Sequence, residues 1–131
     1  VAAGDMTKFE SICEDFGRAL ERFQEVLEEE KTDIVRDSAI KRFELVFDLA
    51  WKTVKAFVEE RHNATCVSPR TCFREAFRVG LIEYDEYWIE LTSERNYTVH
   101  VYREKFADYI YGKLPKALAA LQKLAEALKK Q

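Results

Sequence analysis

Hydrophobic residues recur every three or four positions along most of the chain, which is the pattern of amphipathic helices. The first run predicts a helix over about residues 9–27, and the second predicts a longer helix over about 34–62. The apolar arc of the second helix is broad, so we expect several neighbours to contact it at the centre of a bundle. The residues between them supply Thr32 or Asp33 as the cap of the second helix.

Two shorter helices follow. Ser68-Pro69 has the form of an N-cap followed by a first-turn proline, and it predicts a short helix that stops at Gly80. A fourth helix is predicted over about residues 85–97, where aromatic and aliphatic residues again fall at helical spacing.

The fifth helix is expected to begin near Arg103 and to continue towards the C-terminus. Pro115 has no backbone N–H to donate, so we expect a kink or a split there. The pattern predicts an all-α, four-helix up-and-down bundle with an additional short helix, as a single domain over 1–131. Residues 1–5 precede the only methionine, Met6, and are interpreted as an added or processed start without functional weight.

Composition agrees with a globular helical protein. Apolar residues make up 47% and charged residues 34%, while four Gly and two Pro offer little material for the turns of a β-rich fold. The net charge of -3 gives no general attraction for nucleic acid, so any RNA contact must be local.

The compartment is expected to be the cytoplasm. The sequence contains no apolar run of about 18 residues and no visible signal peptide, so no membrane contact is predicted. Its three cysteines are odd in number and do not occur at the paired spacings of a disulfide framework, so we expect reduced thiols. His62, Cys66 and Cys72 are metal ligands by type, but zinc sites favour tighter pairs and need a fourth position. We predict no metal and no cofactor.

Chemically active side chains concentrate in SERNYTVHVY, residues 93–102. Arg95 and His100 lie five positions apart, which is about 140° around an unbroken helix, so their side chains would diverge. They can meet only if the helix ends between them. Three of the residues at 98–101 are β-branched and form helices poorly, which favours such an end.

Two interpretations of this segment follow from the residues alone. Neutral imidazole can take a proton near pH 7 and guanidinium can hold a phosphate, as metal-independent RNA cleavage requires, with Asn96 in support. Alternatively, His100 caps the helix end and Arg95 pairs with a carboxylate on the second helix, such as Glu44 or Asp48. Spacing alone favours this structural role.

The start of the second helix is densely charged, with Arg36, Asp37, Arg42 and Glu44 within nine residues. An acid near a helix N-terminus suits the helix dipole, and the other charges are expected to form solvated or interhelical pairs. The alternative is that these residues border a pocket or a partner surface.

The motif R-N-x(3)-H-x-Y resembles the signature of the HEPN superfamily. The segments IVRDSAIKRFELVFDLAWKTVKAFVEE, SPRTCFREAFRVGLI and EYWIELTSERNYTVHVY resemble, in order and spacing, the bacterial nucleotidyltransferase substrate-binding subunits, which are a branch of that superfamily. The resemblance extends over nearly the whole chain from Met6 onward. The motifs RDSxIKRFE, LAWK and RNxxxHxY make it specific when taken together.

The resemblance implies a homodimeric helical bundle that works with a separate minimal nucleotidyltransferase. In related toxin–antitoxin pairs the HEPN member is a metal-independent ribonuclease, and its partner silences it by transferring AMP to the tyrosine two residues after the histidine. On this chain the implied catalytic residues are Arg95 and His100, supported by Asn96, and the implied AMP acceptor is Tyr102.

The expected function is therefore that of a substrate-binding partner subunit, which binds nucleotide or RNA at this motif. The alternative is an active ribonuclease toxin that AMPylation neutralises. The chain has no Gly-Ser turn and no Asp-x-Asp pair, so it is not expected to be a nucleotidyltransferase itself. Any Mg²⁺ and catalytic carboxylates for adenylyl transfer would come from another chain.

Overall fold

The computed structural model describes residues 5–131. Residues 1–4, which belong to the segment interpreted above as an added or processed start, lie outside the described part. The described chain contains helices and no strand. The helices are α1 (Lys8–Glu28), α2 (Asp33–Arg61), α3 (Pro69–Arg78), α4 (Tyr87–Tyr97) and α5 (Glu104–Lys129), with a 3-10 turn at Thr98–His100. The predicted all-α bundle with one short helix is confirmed.

Side-chain caps fix the beginnings of the first three helices. Thr7 accepts a hydrogen bond from the Glu10 N–H at 3.1 Å, and the Glu10 carboxylate accepts one from the Thr7 N–H. Thr32 caps α2 by accepting from the Val35 N–H at 3.1 Å, and Ser68 caps α3 in the same way. These bonds satisfy N–H groups that have no partner within the helix.

The α2 helix lies at the centre of the bundle and packs against α1, α3 and α5. Its buried positions extend around a broad face, as its sequence pattern predicts. The largest fully buried side chains are mostly aromatic or leucine, and they include Phe16, Phe23, Phe43, Phe47, Phe57, Leu91, Leu114, Leu121 and Leu128. Burial of this apolar surface provides the main driving force for the fold.

The α5 helix continues without interruption through Pro115, so the predicted split is wrong. Leu114 and Ala117, on either side of the proline, are both fully buried in the core. Packing of these residues holds the backbone helical where the proline removes one hydrogen bond.

Two of the three cysteines form a disulfide, which contradicts the expectation of reduced thiols. Cys66 and Cys72 have Cα atoms 5.1 Å apart, because the turn at Ser68 folds the loop back onto the first turn of α3. Both sulfur-bearing residues are buried, and Cys13 is the free cysteine. His62 lies against the edge of the Phe57 ring instead. Among residues 5–131, no cluster of three or more potential ligands could hold a metal.

No helix within the described residues is long and apolar enough to cross a lipid bilayer.

Candidate functional site

The α4 helix ends at Tyr97, between Arg95 and His100 of the motif, as the β-branched residues predict. The Thr98 hydroxyl, which is buried, donates to the Arg95 carbonyl at 2.8 Å and accepts from Arg95 Nη1 at 3.1 Å. The 3-10 turn at Thr98–His100 then redirects the chain towards α5. One threonine therefore fixes both the helix end and the position of the guanidinium.

The Arg95 guanidinium forms ion pairs with α2. Its Nη2 lies 3.2 Å from Asp48 Oδ2 and its Nε 3.4 Å from Asp48 Oδ1, while Nη1 lies 3.4 Å from Glu44 Oε2. These pairs are the ones that the structural interpretation of the motif predicted. Because 22% of the Arg95 side chain remains exposed, an anion from solvent can still reach it.

His100 is exposed at the end of the 3-10 turn. Its ring lies edge-on to Tyr102 and Phe106, with centroids 6.2 and 6.3 Å away. Tyr102 is 72% exposed, and the Asn96 side chain is also exposed. No hydrogen bond joins His100 to Arg95 in the described part of the chain.

An aromatic cluster surrounds His100 and extends onto α5. It consists of Tyr97, Tyr102, Phe106 and Tyr109, whose rings contact one another or His100 at centroid distances of 6.0 to 6.3 Å. Tyr97 and Tyr109 are more than half exposed. Phe106 and Tyr109 were not among the predicted site residues, although their spacing of three residues on the predicted fifth helix places both rings on one side of it.

Arg36 is buried and bonds to carboxylates that surround it. Its Nη1 lies 2.7 Å from Glu104 and 3.1 Å from Asp108, and its Nε lies 3.0 Å from Asp37. These hydrogen bonds, with Glu104 first, raise the pKa of the Arg36 guanidinium. Hydrogen bonds from Lys31 and Arg36 lower the pKa of Asp108. Arg36 and Asp37 thus hold the beginning of α5, which follows the motif directly.

The other two charged residues from the start of α2 have different neighbours. Arg42 donates from Nη1 to the Arg22 carbonyl of α1 at 3.0 Å. Glu44 is the member of this group that reaches the motif, through its contact with Arg95. That these four residues, Arg36, Asp37, Arg42 and Glu44, border a pocket or a partner surface stays a prediction.

Two cavities lie away from the motif. One of about 560 Å³ opens between residues 81–88 and α5, and one of about 330 Å³ opens between α3 and α4. Neither is lined by Arg95 or His100. These cavities are not predictable from the sequence, because the residues that line each of them meet only in the folded bundle.

This helical bundle, with Arg and His on either side of a helix end, has the architecture of a HEPN-type protein. A family model described as "Nucleotidyltransferase substrate binding protein like" matches residues 11–130, so the chain belongs to that family. The chain is also 29% identical over 106 residues to the "Probable ribonuclease HepT" of Haemophilus influenzae, with 75% of this chain and 73% of the relative covered.

Two solved structures share the fold. A crystal structure from Thermus thermophilus superposes with a TM-score of 0.81 at 30% identity, covering 86% of this chain and 98% of that one. A Haemophilus influenzae structure, described as the fold of a substrate binding domain of a nucleotidyltransferase, gives 0.66 at 22% identity, covering 92% and 96%. The second likeness concerns the fold alone. The family match confirms the resemblance drawn from the sequence.

Proposed function

We propose that this chain is the substrate-binding partner subunit of a separate nucleotidyltransferase, and that it binds nucleotide or RNA through Arg95, Asn96, His100 and Tyr102. The observation that carries the proposal is that Asn96, His100 and Tyr102 are exposed where α4 ends, and that part of the Arg95 side chain is exposed as well. Guanidinium and imidazole can bind phosphate, and the neighbouring rings offer stacking surfaces for unpaired bases. The family's description as a nucleotidyltransferase substrate binding protein supports a partner of that kind.

The partner surface is proposed to include the aromatic cluster. Exposed aromatic rings are enriched where proteins associate, and here they flank the acceptor candidate Tyr102. A second copy of the chain could bind at the same cluster, which would give the homodimer expected from the resemblance. Light scattering of the wild type beside Tyr97→Ser and Tyr109→Ser tests this, because a dimer formed there should dissociate in both variants. We also propose that the protein acts in the cytoplasm, where RNA and nucleotides are available.

Co-expression tests the partner role. The chain, produced with a candidate nucleotidyltransferase encoded beside it, should co-purify with that protein. If Tyr102 is the acceptor, mass spectrometry should find an added AMP on it, and Tyr102→Phe should remain unmodified. Tyr109→Phe is the matched control, since it removes a comparably exposed phenol seven residues away. Lack of co-purification, or equal modification of Tyr102→Phe, would argue against this role.

The second candidate function is metal-independent RNA cleavage, which the name of the Haemophilus relative favours. His100 would take the proton from a ribose 2′-hydroxyl while that oxygen attacks the adjacent phosphorus. The bond from phosphorus to the 5′ oxygen would break, leaving a 2′,3′-cyclic phosphate and a 5′-hydroxyl protonated by the imidazolium or water. Arg95 would stabilise the charge on the phosphoryl oxygens.

Purified protein incubated with RNA in EDTA tests this second function. Cleavage leaving cyclic phosphate ends should occur with the wild type and be lost in both His100→Ala and Arg95→Ala. Lys41→Ala, an exposed change on α2, should cleave as the wild type does. If the wild type binds RNA without cleaving it, the binding function stands and the ribonuclease function does not.

A further inference from the structure

The cavity of about 330 Å³ is a groove between α3, the segment 82–85 and the beginning of α4, and we call it the α3–α4 groove. Among its lining residues, the buried Phe73 ring stacks on Trp88 with centroids 4.8 Å apart. Phe77 and Tyr84 contact each other edge-on at 5.5 Å. The groove therefore has aromatic walls that already pack against each other in the free chain.

Large apolar side chains at the α3–α4 groove remain open to solvent. Phe77 is 46% exposed, Tyr84 is 64% exposed and Ile89 is 49% exposed, and all three line the groove. Adjoining exposed apolar groups with charged residues around them mark surfaces that bind other proteins. The groove therefore has the character of a protein-docking surface.

Two arginines on α3 line the same groove without a partner. Arg70 and Arg74 lie four residues apart, so their side chains are neighbours on the helix surface. These side chains form no hydrogen bond, ion pair or ring contact within residues 5–131, whereas every other arginine of that stretch forms at least one. Guanidinium groups form their strongest contacts with carboxylates, so this side of the groove is complementary to an acidic segment.

The opposite side of the groove is acidic. Glu83 and Asp85 line it, and Asp85 accepts a hydrogen bond from the Tyr87 N–H at 2.9 Å. The Glu83 carboxylate forms no contact of this kind in the described part of the chain. A docked segment should therefore place an acidic side chain towards α3, a large apolar side chain in the groove and a basic side chain towards Glu83.

The α3–α4 groove and the motif share one helix. Trp88 and Arg95 are seven residues apart on α4, which is about 10 Å along the helix axis. Ile89, Ser93 and Asn96 recur at helical spacing, so one face of α4 leads from the groove to the motif. A protein that docks in the groove would therefore lie beside the motif.

We propose that the α3–α4 groove is a docking site for the separate nucleotidyltransferase. That protein inserts a large apolar side chain between Phe77 and Ile89, and a neighbouring carboxylate pairs with Arg70 and Arg74. The inference rests on the proposed function for the existence of this partner, but the groove is a contact surface distinct from the aromatic cluster. Contacts at both ends of α4 would hold the partner in one orientation towards the motif.

Loss of the two unpaired arginines tests the charge complementarity. The chain and the nucleotidyltransferase encoded beside it are purified separately, and their affinity is measured by calorimetry at several salt concentrations. Arg70→Ala with Arg74→Ala should weaken the complex about three- to tenfold and make it less sensitive to salt. The matched control is Arg18→Ala with Arg22→Ala, which removes two exposed arginines of α1 and should bind as the wild type does.

Two substitutions of Phe77 test the apolar contact. Phe77→Ser should weaken the complex at least tenfold, since large side chains at the centre of an interface carry most of its affinity. Phe77→Leu keeps an apolar side chain and should stay within about threefold of the wild type. Thermal unfolding checks that each variant is folded, and Ile89→Ser, on the other wall, replaces Phe77→Ser if that variant does not fold.

Photo-crosslinking identifies what occupies the groove. A benzophenone amino acid at position 77 should crosslink to the nucleotidyltransferase, at a segment that carries an Asp or Glu beside an apolar residue, and the same group at position 22 on α1 should not. Crosslinks between two copies of this chain would assign the groove to self-association instead. Weaker RNA binding in the Arg70→Ala, Arg74→Ala variant, with the protein complex unchanged, would assign the arginines to RNA. Either result would overturn the proposal.

The wild-type complex separates this inference from the proposed function. If the two proteins bind each other and the affinity is the same in the Arg70→Ala, Arg74→Ala variant and in Phe77→Ser, the groove is not the docking site, while the partner role stands. If the wild-type chain does not bind the nucleotidyltransferase at all, the partner role is contradicted, and the docking proposal with it.

Discussion

The Arg95 guanidinium on α4 faces the Asp48 carboxylate on α2 through two nitrogen–oxygen contacts of 3.2 and 3.4 Å. Glu44 approaches the same guanidinium at 3.4 Å. The pairing gives the guanidinium a fixed orientation on the surface, but it also means that a phosphate must compete with two carboxylates. Arg95 therefore has a structural role, and the proposed binding of phosphate requires displacement of these carboxylates.

Replacement of Asp48 by Asn should strengthen RNA binding. The substitution keeps the size of the side chain but removes one negative charge beside Arg95, so the guanidinium becomes freer to pair with phosphate. We expect an affinity gain of about two- to fivefold, measured by fluorescence anisotropy at fixed salt. The matched control is Asp15→Asn, which removes an exposed acid of α1 that pairs with Arg18. Weaker binding in Asp48→Asn would show instead that Asp48 must orient Arg95 for RNA.

The contribution of Glu94 to folding should be less favourable at neutral than at acidic pH, because its carboxyl is buried. Burial, with Glu90 next, raises the pKa of this carboxyl above its ordinary value of 4.5, although Lys113 and Lys116 oppose the shift. The folded state therefore binds the proton more tightly than the unfolded chain. The resulting loss of folding stability is absent below about pH 4, and it develops as the pH rises above the pKa that this carboxyl has in the unfolded chain.

The Glu94→Gln variant tests this assignment. It should raise Tm at pH 7, because the cost of burying the ionised carboxylate is removed, and should change Tm little near pH 4. Calorimetry at the two pH values measures the difference. Glu21→Gln, which neutralises an exposed acid on α1, is the control. A fall in Tm at pH 7 would mean that ionised Glu94 stabilises the fold.

The disulfide should stabilise the junction of the loop and α3. Closure of the short loop between Cys66 and Cys72 is expected to contribute about 2 kcal/mol, mainly by restricting the unfolded chain. Reduction should therefore lower Tm, and Cys66→Ser with Cys72→Ser should lower it equally and abolish the effect of reductant. Cys13→Ser should leave that effect intact.

Thiol counting measures the state of these cysteines in the cell. Protein alkylated during lysis should show one free thiol per chain, that of Cys13, if the disulfide is present in the cell. Three free thiols would mean that Cys66 and Cys72 stay reduced in the cell. In that case the bond forms only after oxidation.

Local chemistry made most of the helical framework predictable from the sequence. The caps at Thr32 and Ser68 act on residues three positions ahead, so their partners are visible in the sequence itself. The end of α4 was predictable for the same reason, since the β-branched residues after Tyr97 disfavour a continued helix. The pairing of Arg95 with α2 was one of two interpretations, and spacing favoured it.

Features that depend on long-range packing were not predictable. Core contacts of Leu114 and Ala117 keep α5 continuous at Pro115, and no local pattern measures those contacts. The approach of Cys66 to Cys72 depends on the path of a loop. The cavity beside Tyr87 requires α5 to lie across from the segment before α4, so its lining residues are far apart in sequence.

The affinity of a short single-stranded RNA, measured by anisotropy in EDTA over a range of salt concentrations, tests the central claim most directly. If the motif is the binding site, Arg95→Ala and His100→Ala should each weaken binding about five- to tenfold, and Arg95→Ala should reduce the salt slope by about 0.7. Lys41→Ala should match the wild type. Wild-type affinity and salt slope in both motif variants would contradict the account.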